Sequence, residues 1–204
     1  MAASPKPNPI NLPRVGQRAE RKLLVTVVEW DDPENTSNIT DIEGNKVLRE
    51  ILGTRTEDSS IEYNAEINTS TDIRGNNFTD VDRTQPQQDF DPYLILGGSK
   101  LAALLNDIRR RNALSELDQF RVYVITMFVD GATAGSTYQA ERHKNCTIAY
   151  NSMGGDSNVN FPISVYLSND VSTTISNVYD AKGGLGYVNK IGEDFTFTAD
   201  AHTS

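Results

Sequence analysis

The sequence predicts a mainly β protein: a β-sandwich or barrel with one flanking α-helix at about residues 99–113, a long hairpin, and an extended N-terminal arm. Three observations carry this. β-branched and aromatic residues recur in short runs, several of them at period two. Only one stretch places apolar residues at i, i+3, i+4 and i+7. Pro5, Pro7, Pro9 and Pro13 sit close together at the start, where they forbid a helix and disfavour a central strand. The 204 residues include 28 Asp and Glu, 19 Lys and Arg, and one cysteine. That length suits an arm over residues 1–18 and one β-rich domain over 19–204.

Along the chain, Lys22–Trp30 reads as a strand that stops at the turn signal Asp31-Asp32-Pro33. Residues 31–58 are polar and loop-like, with Val47, Leu48, Ile51 and Leu52 set for a helical turn or a docked flap. Ile61, Tyr63, Ala65 and Ile67 alternate with Glu62, Asn64, Glu66 and Asn68. This predicts a half-buried antiparallel strand running to about Thr71. Gly75 is the pivot of a turn, and Phe78–Gln88 is a second extended segment, so residues 59–90 read as one long acidic hairpin. Pro86 confines that segment to an edge or a strand end.

Ser99 is a good N-cap for the helix, whose buried stripe is Leu101, Leu104, Leu105 and Ile108. Arg109, Arg110 and Arg111 close it, where cations complement the helix dipole. Phe120–Val129, Tyr138–Tyr150, Phe161–Leu167 and Phe195–Ala199 read as further strands. Residues 168–192 are weakly patterned, and no internal repeat is read. Roughly seven or eight strands and one helix argue for a sandwich or barrel.

The residues offer little chemistry. No apolar run reaches the length of a membrane span, and the first residues have no apolar leader segment, so neither membrane insertion nor secretion is expected. A formal charge of −9 makes a poor nucleic-acid clamp, because grip on phosphates comes from Lys and Arg. His143 and His202 have no second ligand at metal spacing. Cys146 alternates with Ile148 onto a buried face, as a small core residue does. Gly97-Gly98-Ser99-Lys100 has the wrong order for a phosphate loop. The pairs Asp80/Asp82 and Asp89/Asp91 read as a solvated face, and the former lacks the glycine and terminal Glu of a calcium loop. No enzyme activity, cofactor or metal is expected.

Four stretches carry a family resemblance. Thr71-Asp72-Ile73-Arg74-Gly75-Asn76-Asn77-Phe78-Thr79-Asp80, followed by Thr84-Gln85-Pro86-Gln87-Gln88-Asp89-Phe90-Asp91-Pro92-Tyr93, resembles the major tail tube proteins of long-tailed bacteriophages from Gram-positive hosts. Lys100–Val129 and Tyr138–Asn151 with Ser152-Met153-Gly154-Gly155 are similar to the same group. The likeness spans roughly residues 57–170 and is one of order and texture; residues 1–20 and 170–204 fall outside it, with no room for the C-terminal immunoglobulin-like domain of some relatives.

The resemblance implies hexameric rings whose inner sheets join into a barrel around a channel and stack into a tube through which DNA leaves the capsid. The implied partners are the chain itself, the tape-measure, tail-tip and tail-terminator proteins, and passing double-stranded DNA without specific binding. The implied location is the virion tail, after synthesis in the host cytoplasm. On this reading Glu62, Asn64, Glu66 and Asn68 line the lumen, where a negative wall repels DNA; the opposing reading turns them to outer solvent. Contacts between subunits or rings are expected at Pro5, Pro7, Pro9, Ile10, Leu12, Ile73, Arg74, Phe78, Phe90 and Tyr93. The alternatives are another structural module of a phage or injection device, or a carbohydrate-binding β-sandwich, which needs exposed aromatics on a loop face.

Overall fold

The computed structural model describes residues 23–53, 56, 59–64, 66–83, 86–91, 93, 96–130, 137–154, 159–167 and 184–199. Among them the elements run β1 (Leu24–Asp31), β2 (Val47–Ile51), β3 (Ile61–Glu62), β4 (Glu66–Thr71), β5 (Asn77–Arg83), β6 (Gln87–Phe90), α1 (Lys100–Arg111), β7 (Phe120–Asp130), β8 (Tyr138–Tyr150), β9 (Ile163–Tyr166), β10 (Leu185–Val188) and β11 (Phe197–Ala199). The protein is mainly β, with antiparallel pairing and one α-helix. None of its described helices is long and apolar enough to cross a membrane.

The main sheet runs β2-β1-β7-β8-β9-β6-β3, with β10 also on β8 and β11 on β10. The long strand β8 organises it. Its first residues pair with β10 and its last with β9, while β7 lies along the other edge. A register shift between Phe120 and Val122 and a positive φ of 50° at Asn145 mark a bulge between the two halves. A bulge bends its strand and increases local twist. Here the bend brings β6 across from β1, where the Thr26 hydroxyl donates to Gln88 Oε1 at 2.8 Å. Gln88 Nε2 in turn donates to Ser59 Oγ at 2.9 Å, so this fully buried amide is satisfied.

The strands β1, β7 and β8 are covered on both faces. On one face Val28, Trp30, Phe120, Val122, Val124, Cys146 and Ile148 pack with Leu101 and Leu105 of α1 and with Phe90, Ile163 and Val165. On the other, Leu23, Val27, Tyr123, Ile125, Met127 and Ala140 pack beneath Val188, Phe195 and Phe197. This is why Leu23–Val28 is almost continuously apolar rather than alternating: burial on two faces removes the polar side of the period. Cys146 and Ile148 are both buried, as their spacing indicated.

One charge directly follows that apolar run. Glu29 has no exposed surface and lies directly opposite Arg49 on β2 and Arg121 on β7. Each arginine Nε donates to it at 2.7 Å. Arg49 also donates to the Phe195 carbonyl at 2.7 Å and stacks 4.0 Å over the Phe195 ring. The Tyr123 hydroxyl, 3.3 Å from both Glu29 oxygens, accepts from Arg142 Nε at 3.1 Å. This row ties β2, β1, β7, β8 and the residues before β11 into one unit.

The helix matches its expectation with tighter ends. Ser99 is the N-cap, its hydroxyl accepting from Ala102 N at 3.1 Å, and Asn112 ends the helix at φ 54°. Leu101, Leu105 and Ile108 are buried, and Leu104 is half-buried against the same core. A side chain from β2 completes the cap. Glu50 accepts from the Leu101 N–H at 3.1 Å, the Ser99 hydroxyl at 2.7 Å and the Tyr93 hydroxyl at 2.6 Å. A carboxylate at this end also complements the helix dipole.

Four expectations change. Val47–Ile51 is not a helical turn or flap but a strand, held by pairing to β1, a partner that local pattern does not reveal. The strand expected over 61–71 breaks at Asn64, whose φ is 39°. Its first piece pairs with β6 and its second with β5. Tyr63 and Ile67, expected to be buried, are 57% and 60% exposed. The hairpin closes at Arg83 rather than 90, because Gln87–Phe90 leaves it to pair with β9. Finally, Leu185–Val188 is a strand within a segment that carries almost no pattern.

Candidate functional site

The hairpin β4–β5 is a separate two-stranded sheet. Its turn is built by one aspartate. Asp72 Oδ1 accepts from the Arg74 and Asn76 N–H groups, both at 2.8 Å, and Oδ2 from Asn76 Nδ2 at 3.0 Å. Gly75, at φ 83°, takes the left-handed position that closes the turn. The backbone and side-chain donors of Asn76 hold the Asp72 carboxyl below its ordinary value. The body of the hairpin buries little. Ile67 is 60% exposed on one face, Phe78 is 50% exposed on the other, and Ile73 at the tip is fully exposed.

The same turn occurs twice. Thr40-Asp41-Ile42-Glu43-Gly44-Asn45 repeats as Thr71-Asp72-Ile73-Arg74-Gly75-Asn76, which corrects the expectation of no internal repeat. In the first copy Asp41 Oδ1 accepts from Glu43 N at 2.9 Å and Asn45 N at 2.8 Å, and Oδ2 from Asn45 Nδ2 at 3.2 Å. Gly44 has φ 88°. Both copies close with paired backbone bonds, Asp41 N to Asn45 O and Asp72 N to Asn76 O, each at 2.9 Å. The two differ in what lies beneath them. The first copy rests on the body, leaving Asp41 8% and Ile42 37% exposed. The second leaves Ile73 at its tip fully exposed.

Beside the first copy is a cavity of about 190 Å³, lined by residues 38–42, Arg49 and residues 194–197. Ile39, Ile42, Phe195 and Phe197 line it together with Asp41 and Asp194, whose carboxylates are already engaged, Asp41 within its own turn and Asp194 by Lys190 Nζ at 2.6 Å. The Arg49 guanidinium is already engaged by Glu29 and the Phe195 carbonyl. Next to the cavity, burial and the nearby Glu50 carboxylate, with a smaller push from Asp194, raise the Glu193 carboxyl.

The expected contact residues divide. Ile73, Arg74 and Phe78 are exposed on the hairpin. Phe90 and Tyr93 are corrected: at 1% and 5% exposure they belong to this chain's own core, since β6 turns inward after Pro86 and Tyr93 bonds to Glu50. Pro5, Pro7, Pro9, Ile10 and Leu12 lie outside the described residues. Glu62, Asn64 and Asn68 are exposed, but the four residues expected in one row with Glu66 do not share a strand. The break at Asn64 puts Glu62 on β3 and Glu66 and Asn68 on β4.

The chemistry-bearing residues are dispersed. His143 is buried in β8, with neither ring nitrogen hydrogen-bonded among the described residues and Glu141 Oε2 3.5 Å from Nε2. Cys146 is buried in the core. Among the described residues no group of three His, Cys, Asp or Glu is placed to hold a metal ion. Trp30, Tyr93 and Tyr123 are core residues; Tyr63 is exposed after β3, Phe78 on β5 and Tyr166 on β9. Sequence reasoning missed Glu29, Glu50 and the repeated turn. A lone carboxylate inside an apolar strand signalled the first, and identity at five of six positions signalled the last. No protein-family model matches the chain, and no curated protein matches it.

Proposed function

We propose that this chain is a structural protein that assembles with itself into stacked rings, hexameric by the family resemblance, forming the tail tube through which a long-tailed bacteriophage ejects its DNA. The observation that carries the reading is the β4–β5 hairpin. It is ordered by its own turn, yet it exposes Ile67, Ile73 and Phe78. An isolated two-stranded hairpin is marginal in water. Neighbouring subunits packed on its two faces would bury those residues and stabilise it. Among the described residues β2, β3 and β11 stand at the ends of the strand order, positions that can take further pairing.

The acidic balance suits a DNA conduit, because a negative wall does not capture phosphates as Lys and Arg do. Glu62 on the edge strand β3 is exposed and is assigned to the lumen on this reading, with Glu66 and Asn68 on the hairpin beside it. The tape-measure, tail-tip and terminator proteins would be its partners along the tube. Trp30, Tyr93 and Tyr123 belong to the core, which weakens the carbohydrate-binding alternative.

Negative-stain electron microscopy of the purified chain at high concentration, with a sizing column beside it, tests the reading. Rings or hollow tubes are expected. A monomer at every concentration, with binding on a glycan array, would replace the tube reading with the carbohydrate-binding one. In assembled particles, Glu62→Lys with Glu66→Lys should leave tubes intact and hinder DNA passage. Unchanged infectivity would argue against a lumenal position.

A further inference from the structure

We propose that a cavity on one face of β7, β8 and β10 binds a primary alkylammonium group, with the Glu141 carboxylate as its counter-ion. The cavity measures about 160 Å³. Thr126, Gln139 and Tyr187 lie opposite one another across the three strands. Glu141 and Leu185 form the next pair on the same face, two residues along. All five line the cavity, and Gly186, between the two rows, adds only backbone. Glu141 is half-exposed and pairs with no lysine or arginine among the described residues. Its neighbour His143 Nε2 stands 3.5 Å away, too far for a good hydrogen bond, and neither ring nitrogen of His143 is hydrogen-bonded among those residues. This carboxylate is therefore open to a ligand, whereas Asp41 and Asp72 are held within their own turns and Asp194 by Lys190. Its charge is felt nearby: burial, together with Glu141, holds the Tyr63 hydroxyl above its ordinary value.

The lining selects the ligand class. An ammonium group carries three N–H donors and no acceptor. Glu141, the Gln139 amide oxygen and the Thr126 hydroxyl oxygen supply three acceptors on adjoining positions of the face. Thr126 already donates its own proton to the Gln139 carbonyl at 3.4 Å, which leaves its lone pairs for a donor. Leu185 and Tyr187 offer apolar surface to an alkyl chain, and a tyrosine ring also attracts a cation. No lysine or arginine lines the cavity, so an ammonium meets no repulsion there and a carboxylate or phosphate finds no partner. A cavity of about 150 Å³ can hold a benzene ring, so a four-carbon ammonium is accommodated. The inference does not rest on self-assembly, because all its residues belong to one chain.

The test is saturation-transfer NMR with n-butylammonium as probe on the full chain, near neutral pH and at low ionic strength, a measurement that serves a monomer and an assembly alike. Transfer to the alkyl protons is expected to half-saturate at millimolar probe and to weaken with added salt. Glu141→Gln, at a half-exposed position, removes the charge and should weaken binding by about tenfold or more at unchanged thermal stability. Gln139→Lys, at an exposed position, sets an ammonium of the chain's own beside Glu141 and should abolish transfer. n-Butanol, of the same length but uncharged, should bind at least tenfold more weakly than the ammonium. No transfer to the unmodified chain, transfer unchanged in both variants, or equal half-saturation by butanol would each overturn the site.

Discussion

The Glu29 carboxylate and the Arg49 guanidinium meet at 2.7 Å with side chains 0% and 1% exposed, on adjacent strands and in direct register. A buried pair of this kind gives little net stability over an apolar replacement, but removing one partner strands the other charge. Glu29 also holds Arg121 and faces Tyr123, so its loss would leave the buried Arg49 without a carboxylate, while Arg121 keeps Asp31 at 2.6 Å. Glu29→Gln is expected to destabilise the fold by about 3–5 kcal/mol. Urea unfolding measures this, and a loss under 1 kcal/mol would mean that the row is not closed in solution.

Glu50 joins β2 to the start of α1. Glu50→Ala leaves the Leu101 N–H, the Ser99 hydroxyl and the Tyr93 hydroxyl without this acceptor. The expected cost is about 1–3 kcal/mol, the usual penalty for a partly buried group left unpaired. The same change should lower the Glu193 pKa, because Glu50 is one of the charges that raise it. Calorimetry and carboxyl chemical shifts measured against pH check the two effects in one variant.

Gly186 is required for close approach. A Cβ there would lie 2.2 Å from the Thr198 carbonyl oxygen and 2.7 Å from the Phe197 ring. Relief requires β11 to move off β10. Gly186→Ala is expected to cost about 3 kcal/mol, at the upper end for overpacking. Hydrogen exchange should show protection lost over residues 185–199 and retained in β1 and β7.

Burial, reinforced by the Glu29 charge, pushes the Tyr123 hydroxyl up to about 12 from an ordinary 10.0. The folded state therefore holds this proton more tightly than the unfolded state. The associated stability is fully present below pH 10 and is lost as pH rises through about 12. Burial and the Glu50 hydrogen bond raise Tyr93 as well, which adds to the same loss. Phenolate absorbance should show part of the tyrosine content titrating only as the protein unfolds, and Tyr123→Phe should reduce that part.

The local pattern of residues was enough to determine much of this protein. The β class, the helix with Ser99 as its cap, the buried Leu101, Leu105 and Ile108, and the burial of Cys146 all follow from spacings of two to four residues along the chain. Tertiary structure decided the rest, because the deciding contacts lie far apart in sequence. Val47–Ile51 became a strand through β1, and Leu185–Val188 through β8. Phe90 and Tyr93 were drawn into the core when β8 bent and brought β6 over β1. Glu29 stands out in sequence as a carboxylate in an apolar strand, but only the register of three strands sets Arg49 and Arg121 on either side of it. The repeated turn joins the two levels. Its shape is written in six residues, twice, but only the folded chain lays one copy against the body and leaves the other exposed, because packing depends on what each turn meets.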